Sequence, residues 1–343
     1  MRNPRWITTA FLGITLILKC PAAPLVAVSA DSSSTQGEAA SAAAIPRVTT
    51  PLAPVLRERL SAEETETADR LDDFLKELFA ASLLGNHAPF DVAAFPVKGD
   101  APYGSSCLVF ENRPIVDITV IGDVKKTAAW LKSLPGVTPT GIATCPAYSM
   151  VSAAIPASRL LEAAMAPNIR QLNASMVMTS RERMATTGLW AGEAEDGVAK
   201  EESRSSGSTL LSEGSAPNQA EQALDVEQCR RIYPGLYTGQ GLRIGVLSDS
   251  ANARDSNQDG VKGIAESQGT GDLPDNSRIV IVEDWADGSD EGRAMMELIY
   301  DLAPGISMLG FATGVRGMAN MVNNIDALRL QGMNICVDDI AYF

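Results

Sequence analysis

Two short acidic stretches hold the residues best suited to chemistry. Ser248-Asp249-Ser250 closes the apolar run Leu242 to Leu247, and Asp290-Glu291-Gly292 opens a stretch with helical apolar spacing. A carboxylate at the carboxyl end of a buried strand faces the crevice in which open α/β sheets bind ligands. A carboxylate in the first turn of a helix meets the positive end of the helix dipole. Two acids therefore converge at such a crevice. The same residues also fit an architectural role, with N-capping by Asp290 and turn formation by Asp249.

A third group suits a hard cation. Asp255, Asn257, Asp259, Gly260 and Glu266 follow the calcium-loop pattern D-x-[DN]-x-[DN]-G-x5-E, which sets oxygens around an ion and a sharp turn at the glycine. A strand precedes this loop where an EF-hand needs a helix, and Lys262 lies inside it, so a polar surface loop is the competing expectation. Calcium is the one cofactor these residues suggest. Asp284, Asp287 and Asp290 form a second acidic cluster. The single histidine, His87, lies in Gly85-Asn86-His87-Ala88-Pro89, far along the chain from these acids, where a structural role is expected.

Composition narrows the setting for these groups. The 343 residues include 42 acidic and 28 basic side chains, for a net charge of −14. Nucleic-acid binding runs on clustered Lys and Arg that displace counterions, so DNA and RNA are not expected partners. The length leaves room for two modest domains with their own cores. Arg2 and Arg5, the apolar stretch Ile7 to Leu18 and the small residues Val28-Ser29-Ala30 form a signal-peptide pattern, so residues 1–30 predict export and a secreted protein. No later apolar run is long enough to span a bilayer, so no stable membrane span is expected once that signal is removed. Cys107, Cys145, Cys229 and Cys336 then remain, as disulfides in any of three pairings or as buried thiols.

The elements that must position the acids follow from periodicity. Residues 31–54 are Ala, Ser, Thr and Pro and read as a disordered leader. Ser61-Ala62-Glu63-Glu64 is a capping-box pattern, and Leu71, Phe74, Leu75, Leu78, Phe79 and Leu83 recur at helical spacing, which predicts one amphipathic helix within 55–90. Residues 115–178 predict β-α-β-β-α-β, a ferredoxin-like α+β domain within 100–180. The acidic, Gly- and Ser-containing stretch 181–220 reads as a flexible linker. Strands expected at Leu242 to Leu247, Ile279 to Val282, Met308 to Ala312 and Asn334 to Val337, with helices at Gly292 to Ala303 and Met318 to Leu330, predict a doubly wound parallel sheet in 221–343.

The second half resembles the subtilisin-like serine proteases. Gly239 to Ser250 is similar to their strand that ends in the triad aspartate. Glu291-Gly292-Arg293-Ala294-Met295, running on to Ala303-Pro304-Gly305, looks like the helix that begins with the triad histidine. Asn334 to Ile340 looks like the strand that lines the substrate cleft. The resemblance implies an exported precursor whose first domain is propeptide-like, and it places Asp249 at the acid position and Glu291 at the base position. In the related sedolisins a carboxylate base has a second acid four residues further along its helix, where this chain has Met295. The family's Gly-Thr-Ser turn before Pro is missing, so no nucleophile is assigned.

Three functions follow as expectations. The first is the N-terminal part of a secreted subtilisin-like endopeptidase precursor, acting on peptide or protein substrates. Its peptidase domain is truncated before the nucleophile and catalytically incomplete, because the serine, base and oxyanion hole act as a unit. A natural truncation, a broken frame and an incomplete gene model all fit that reading. The second is a non-catalytic inhibitor or chaperone of a partner protease, and the third is a calcium-binding extracellular module.

Overall fold

The computed structural model describes residues 5–11, 14–20, 58–84, 92, 106–144, 149–179, 214, 220–233, 235–256 and 258–342. His87, Cys145, Asn257, the leader 31–54 and nearly all of the linker 181–220 lie outside these residues. Mixed helices and strands form an α/β structure with one largely parallel sheet and one antiparallel sheet.

The first described strands are β1 (Arg5–Phe11) and β2 (Ile14–Cys20), an antiparallel hairpin that spans the apolar stretch Ile7 to Leu18. Two helices follow, α1 (Ala62–Ala68) and α2 (Asp73–Leu84). The capping box forms as expected: Ser61 Oγ accepts the Glu64 N–H at 3.2 Å, and Glu64 Oε2 accepts the Ser61 N–H at 2.7 Å. The single helix expected here is broken at residues 69–72. Asp72 Oδ1 accepts the Leu75 N–H at 2.7 Å and restarts the helix, while Leu71 bridges to Leu172. An aspartate competes with helical backbone bonding in this way wherever its side chain can cap instead.

The antiparallel domain contains β3 (Ser106–Cys107), β4 (Val109–Phe110), β5 (Arg113–Val120), α3 (Val124–Ser133), β6 (Thr138–Thr144), β7 (Ser149–Ala154), α4 (Leu160–Ala164) and β8 (Ile169–Ala174). The order β-α-β-β-α-β runs from β5 to β8. Strand β5 pairs with β7 and β8, and β6 pairs with β7, all antiparallel. Asp123 caps α3 through the N–H groups of Lys125 and Lys126. The core is Val116, Ile118, Leu131, Val151, Leu160 and Leu172, joined by Leu75 and Leu78 of α2. Helix α2 is therefore part of this domain and not a separate arm. The last expected strand divides after Ala174: β9 (Met176–Thr179) leaves the sheet and pairs elsewhere.

The second half opens with two short helices, α5 (Ala220–Ala223) and α6 (Val226–Ile232), which the sequence pattern does not announce. Next come β10 (Arg243–Ser248), α7 (Gly263–Thr270), β11 (Ile279–Glu283), α8 (Glu291–Leu302), β12 (Met308–Thr313), α9 (Met318–Leu330), β13 (Ile335–Asp338) and β14 (Ile340–Tyr342). Strands β13, β10, β12 and β11 lie side by side in that order, all parallel, and β2 adds antiparallel to the outer edge of β13.

Alternation along the central strands assigns the two faces. Ile244, Val246, Leu309 and Phe311 pack with Met296 and Tyr300 of α8, whereas Leu247 and Ala312 pack with Leu328 of α9 and with Met333. The second face is built close. A Cβ at Gly245 would lie 3.1 Å from Leu328, so a bare backbone there lets α9 settle onto the sheet. Helices thus cover both faces, as a parallel sheet requires.

Candidate functional site

Asp249 follows β10 directly and is buried, but its carboxylate does not meet the Glu291 side chain. Its Oδ1 accepts the Ser250 N–H and, at 3.1 Å, the Glu291 N–H, while Oδ2 accepts the Ser289 N–H. Asp249 therefore satisfies the unpaired donors at the start of α8. Asp290 does the reverse. Its Oδ1 accepts the Ser250 hydroxyl at 2.8 Å and the Ala253 N–H at 2.7 Å, and its Oδ2 accepts the Arg254 N–H at 3.0 Å. Each acid secures the other's segment, so the capping roles expected of Asp290 and Asp249 are exchanged between two loops. Asp284 adds bonds to the Ala251 and Trp285 N–H groups at 3.0 and 2.8 Å.

Gly292 makes this approach possible. A Cβ there would lie 2.3 Å from the Phe311 ring and 2.8 Å from Ser250 O. The sequence Glu-Gly at the start of α8 thus has a steric reason, since no side chain fits between the helix and the end of β10.

Sequence reasoning missed one buried acid at a strand end. Asp339, between β13 and β14, is 5% exposed. Burial pushes its carboxyl up to about 8, and the Glu291 charge pushes the same way. The next residue back, Asp338, is raised to about 6 by burial, against a hydrogen bond from the Ile340 N–H. The one available signal was the pair Asp338-Asp339 at the carboxyl end of an apolar strand.

The calcium-pattern residues spend their oxygens locally. Asp255 accepts the Asp259 and Gly260 N–H groups at 3.2 and 2.9 Å, and Asp259 accepts the Val261 N–H at 2.9 Å. Glu266 lies in α7 and pairs with Arg293, Nη1 to Oε2 at 2.6 Å, with both side chains buried. Arg293 also donates to Gly263 O at 3.0 Å and to the Ser256 hydroxyl at 2.7 Å. Among the described residues no cluster of three or more His, Cys, Asp or Glu side chains is arranged to hold a metal. Glu297 of α8 is half-buried and accepts the Ser267 hydroxyl, and burial raises its carboxyl.

The antiparallel domain reaches this region along two seams. At the first, β9 lies antiparallel to β14, with Ile340 opposite Thr179, Ala341 opposite Met178 and Tyr342 opposite Val177. Val177 is buried with Val315 and Ile340, beside Trp285, Met321 and Tyr342. At the second, α9 begins at Gly317, which supplies no side-chain cap. Asp117 of β5 accepts the Met318 N–H at 3.0 Å, and Ser152 of β7 accepts the Ala319 N–H at 2.9 Å. Burial raises the Asp117 carboxyl, and hydrogen bonds from Ser152, Ser175 and Met318 hold it back. Around these bonds Thr140 donates to Arg316 O at 2.7 Å, and the Arg316 guanidinium lies 5.1 Å from the Phe110 ring and 5.6 Å from the Trp285 ring.

Among the described residues Cys107, Cys229 and Cys336 carry free thiols, and burial pushes the Cys336 thiol up to about 11. No helix among them is long and apolar enough to cross a membrane. Compared with protein-family models, with curated proteins and with solved structures, the chain has no significant match.

Proposed function

We propose that this chain is the N-terminal part of a secreted subtilisin-like serine endopeptidase precursor. On this reading residues 100–180 are a ferredoxin-like, propeptide-like domain, and residues 221–343 are the first part of a subtilisin-like peptidase domain. The observation that carries the reading is the seat of β9. This strand leaves the sheet it should continue and runs antiparallel to β14, immediately after Asp338 and Asp339, with Val177 buried against the other half of the chain. An extended segment added to a strand edge is a common way of presenting a peptide, and here it lies beside the acids.

Asp249 and Glu291 take the acid and base positions, and the substrate is a peptide or protein. On this reading the chain is catalytically incomplete, since it holds no Gly-Thr-Ser turn. The coding DNA contiguous with this sequence tests the reading. A downstream Gly-Thr-Ser-x-x-x-Pro supports a peptidase, and its absence from every frame removes one. A fluorophosphonate probe should leave this chain unlabelled. Export through residues 1–30 predicts that the secreted form starts near Asp31, which N-terminal sequencing reads directly.

The capping of α9 favours a second reading, a non-catalytic inhibitor or chaperone of a protease. Asp117 and Ser152 complete a helix that has no cap of its own, which is what a folding template does for its client. If purified chain at micromolar concentration leaves the hydrolysis rate of a subtilisin unchanged, this second role is lost.

A further inference from the structure

The chain carries a net charge of −14, yet one half-open cavity has two cations and no carboxylate in its lining. It measures about 610 Å³ and lies between α3 and β6 of the antiparallel domain. Lys125 and Lys132 stand on one side of α3, two helical turns or about 10 Å apart along its axis, with Ala129 between them. That small side chain leaves the trough open, and Val137, Pro139 and Ile142 form the far wall. Alternation along β6 explains the wall. Gly141 and Ala143 face α9, where a Cβ at Gly141 would lie 2.4 Å from the Asn320 backbone, so Ile142 turns to the opposite side and stays 37% exposed. We propose that this groove binds an aliphatic monocarboxylate, with its chain laid on the apolar wall and its carboxylate met by the ammonium groups of Lys125 and Lys132. Nothing in it depends on the peptidase reading.

Both lysines can turn to a ligand. Asp123, at the start of α3, is committed elsewhere: it accepts the Lys125 and Lys126 N–H groups at 3.1 and 3.2 Å and pairs with the Lys126 side chain at 4.0 Å. Among the described residues Lys125 and Lys132 form no ion pair. A lysine lays its stem along apolar surface and keeps its head in water, so these two flexible stems extend the trough and carry their charges to its mouth. A cavity of this size, mainly apolar with a few polar groups, suits a small molecule. The backbone of β6 argues against a peptide. Its outer edge is already taken by α9: the Asn323 amide donates to Ile142 O at 2.8 Å and accepts the Ile142 N–H at 3.3 Å, and Asn320 donates to Thr140 O at 3.1 Å. An added strand would find no backbone partners there, whereas an alkyl chain needs none.

Titration calorimetry of the full chain with decanoate tests this. Decanoate should bind one to one, and decanol, which has the chain without the charge, should bind at least about fivefold more weakly. Acetate, which has the charge without the chain, should give no heat. The double change Lys125→Glu with Lys132→Glu should weaken decanoate at least about tenfold, and so should Ala129→Trp, which fills the trough and keeps both charges. All three positions are exposed, so each variant should melt close to the parent. If either change leaves the affinity where it was, or if decanol binds as well as decanoate, the groove does not hold a carboxylate and the proposal is wrong. No heat with decanoate at millimolar concentration overturns it as well, and tighter binding of hexaglutamate than of decanoate would give the groove to a peptide instead. Should Ala129→Trp fail to fold, the double lysine variant and the decanol comparison decide.

Discussion

The carboxylate of Asp249 accepts the backbone N–H of Glu291 at 3.1 Å, so the two acids meet through a carboxylate and an amide and not through their side chains. This bond ties the end of a central strand to the start of a helix on one face of the sheet. Asp290 ties the same two segments from the other side, through the Ser250 hydroxyl and the Ala253 N–H.

Replacing Asp249 with Ala removes the acceptor for three amides, those of Ser250, Ser289 and Glu291. Loss of a helix cap costs about 0.5–2 kcal/mol, and a buried charge-assisted bond adds to that, so a loss of about 2 kcal/mol is expected. Urea denaturation measures it. An unchanged midpoint would show that these amides find other partners.

Stability should fall as pH rises through the values of Asp338 and Asp339. Both carboxyls bind the proton more tightly folded than unfolded, since burial raises them from an ordinary 3.8 to about 6 and about 8. The folded state therefore holds more protons in that window; the stabilisation is complete below the ordinary value and is lost as pH climbs past each raised one. Asp339→Asn should melt higher than the parent above about pH 8 and close to it in acid. Melting curves across pH that stay parallel would contradict this.

Val177→Asp places a charge among Val315, Ile340 and Trp285. Burying a carboxylate there costs upward of about 2 kcal/mol, so β9 should come away from β14 while the two cores persist. Faster amide exchange at Ile340, Ala341 and Tyr342, with little change along β10, is the expected pattern.

Gly292→Ala drives a methyl group into the Phe311 ring and Ser250 O. Overpacking of this kind costs about 1–3 kcal/mol, and here it also pushes α8 off the strand end. Calorimetry should register a lower melting temperature.

Arg293→Met removes the guanidinium that pairs with Glu266. Breaking a buried pair by removing one member costs about 3–5 kcal/mol, far more than an exposed pair would. Because Glu266 is committed to Arg293, millimolar calcium should leave the parent melting temperature unmoved. A clear rise on adding calcium would show that the ion can draw Glu266 away and build the loop site that the sequence pattern suggests.

Elements made by local spacing were readable from residues alone. The capping box at Ser61 formed, α9 spans the expected Met318–Leu330, and β5 through β8 arrive in the anticipated order. Less was readable where a polar side chain chose between partners. Asp72 divides a helix that periodicity makes continuous, and Glu266 turns from a loop pattern into an ion pair with a residue 27 positions away.

The sequence by itself determined the alternation of strands and helices, the acids at their ends and the missing serine turn, because each is a matter of residue type and short spacing. Tertiary structure alone decided that Asp249 and Asp290 exchange caps and that β9 abandons its sheet for β14. Those contacts join segments at least 36 positions apart, and nothing in a local pattern weighs them. They exist because a parallel sheet gathers its strand ends on one side, where buried carboxyls must find amides or hydroxyls.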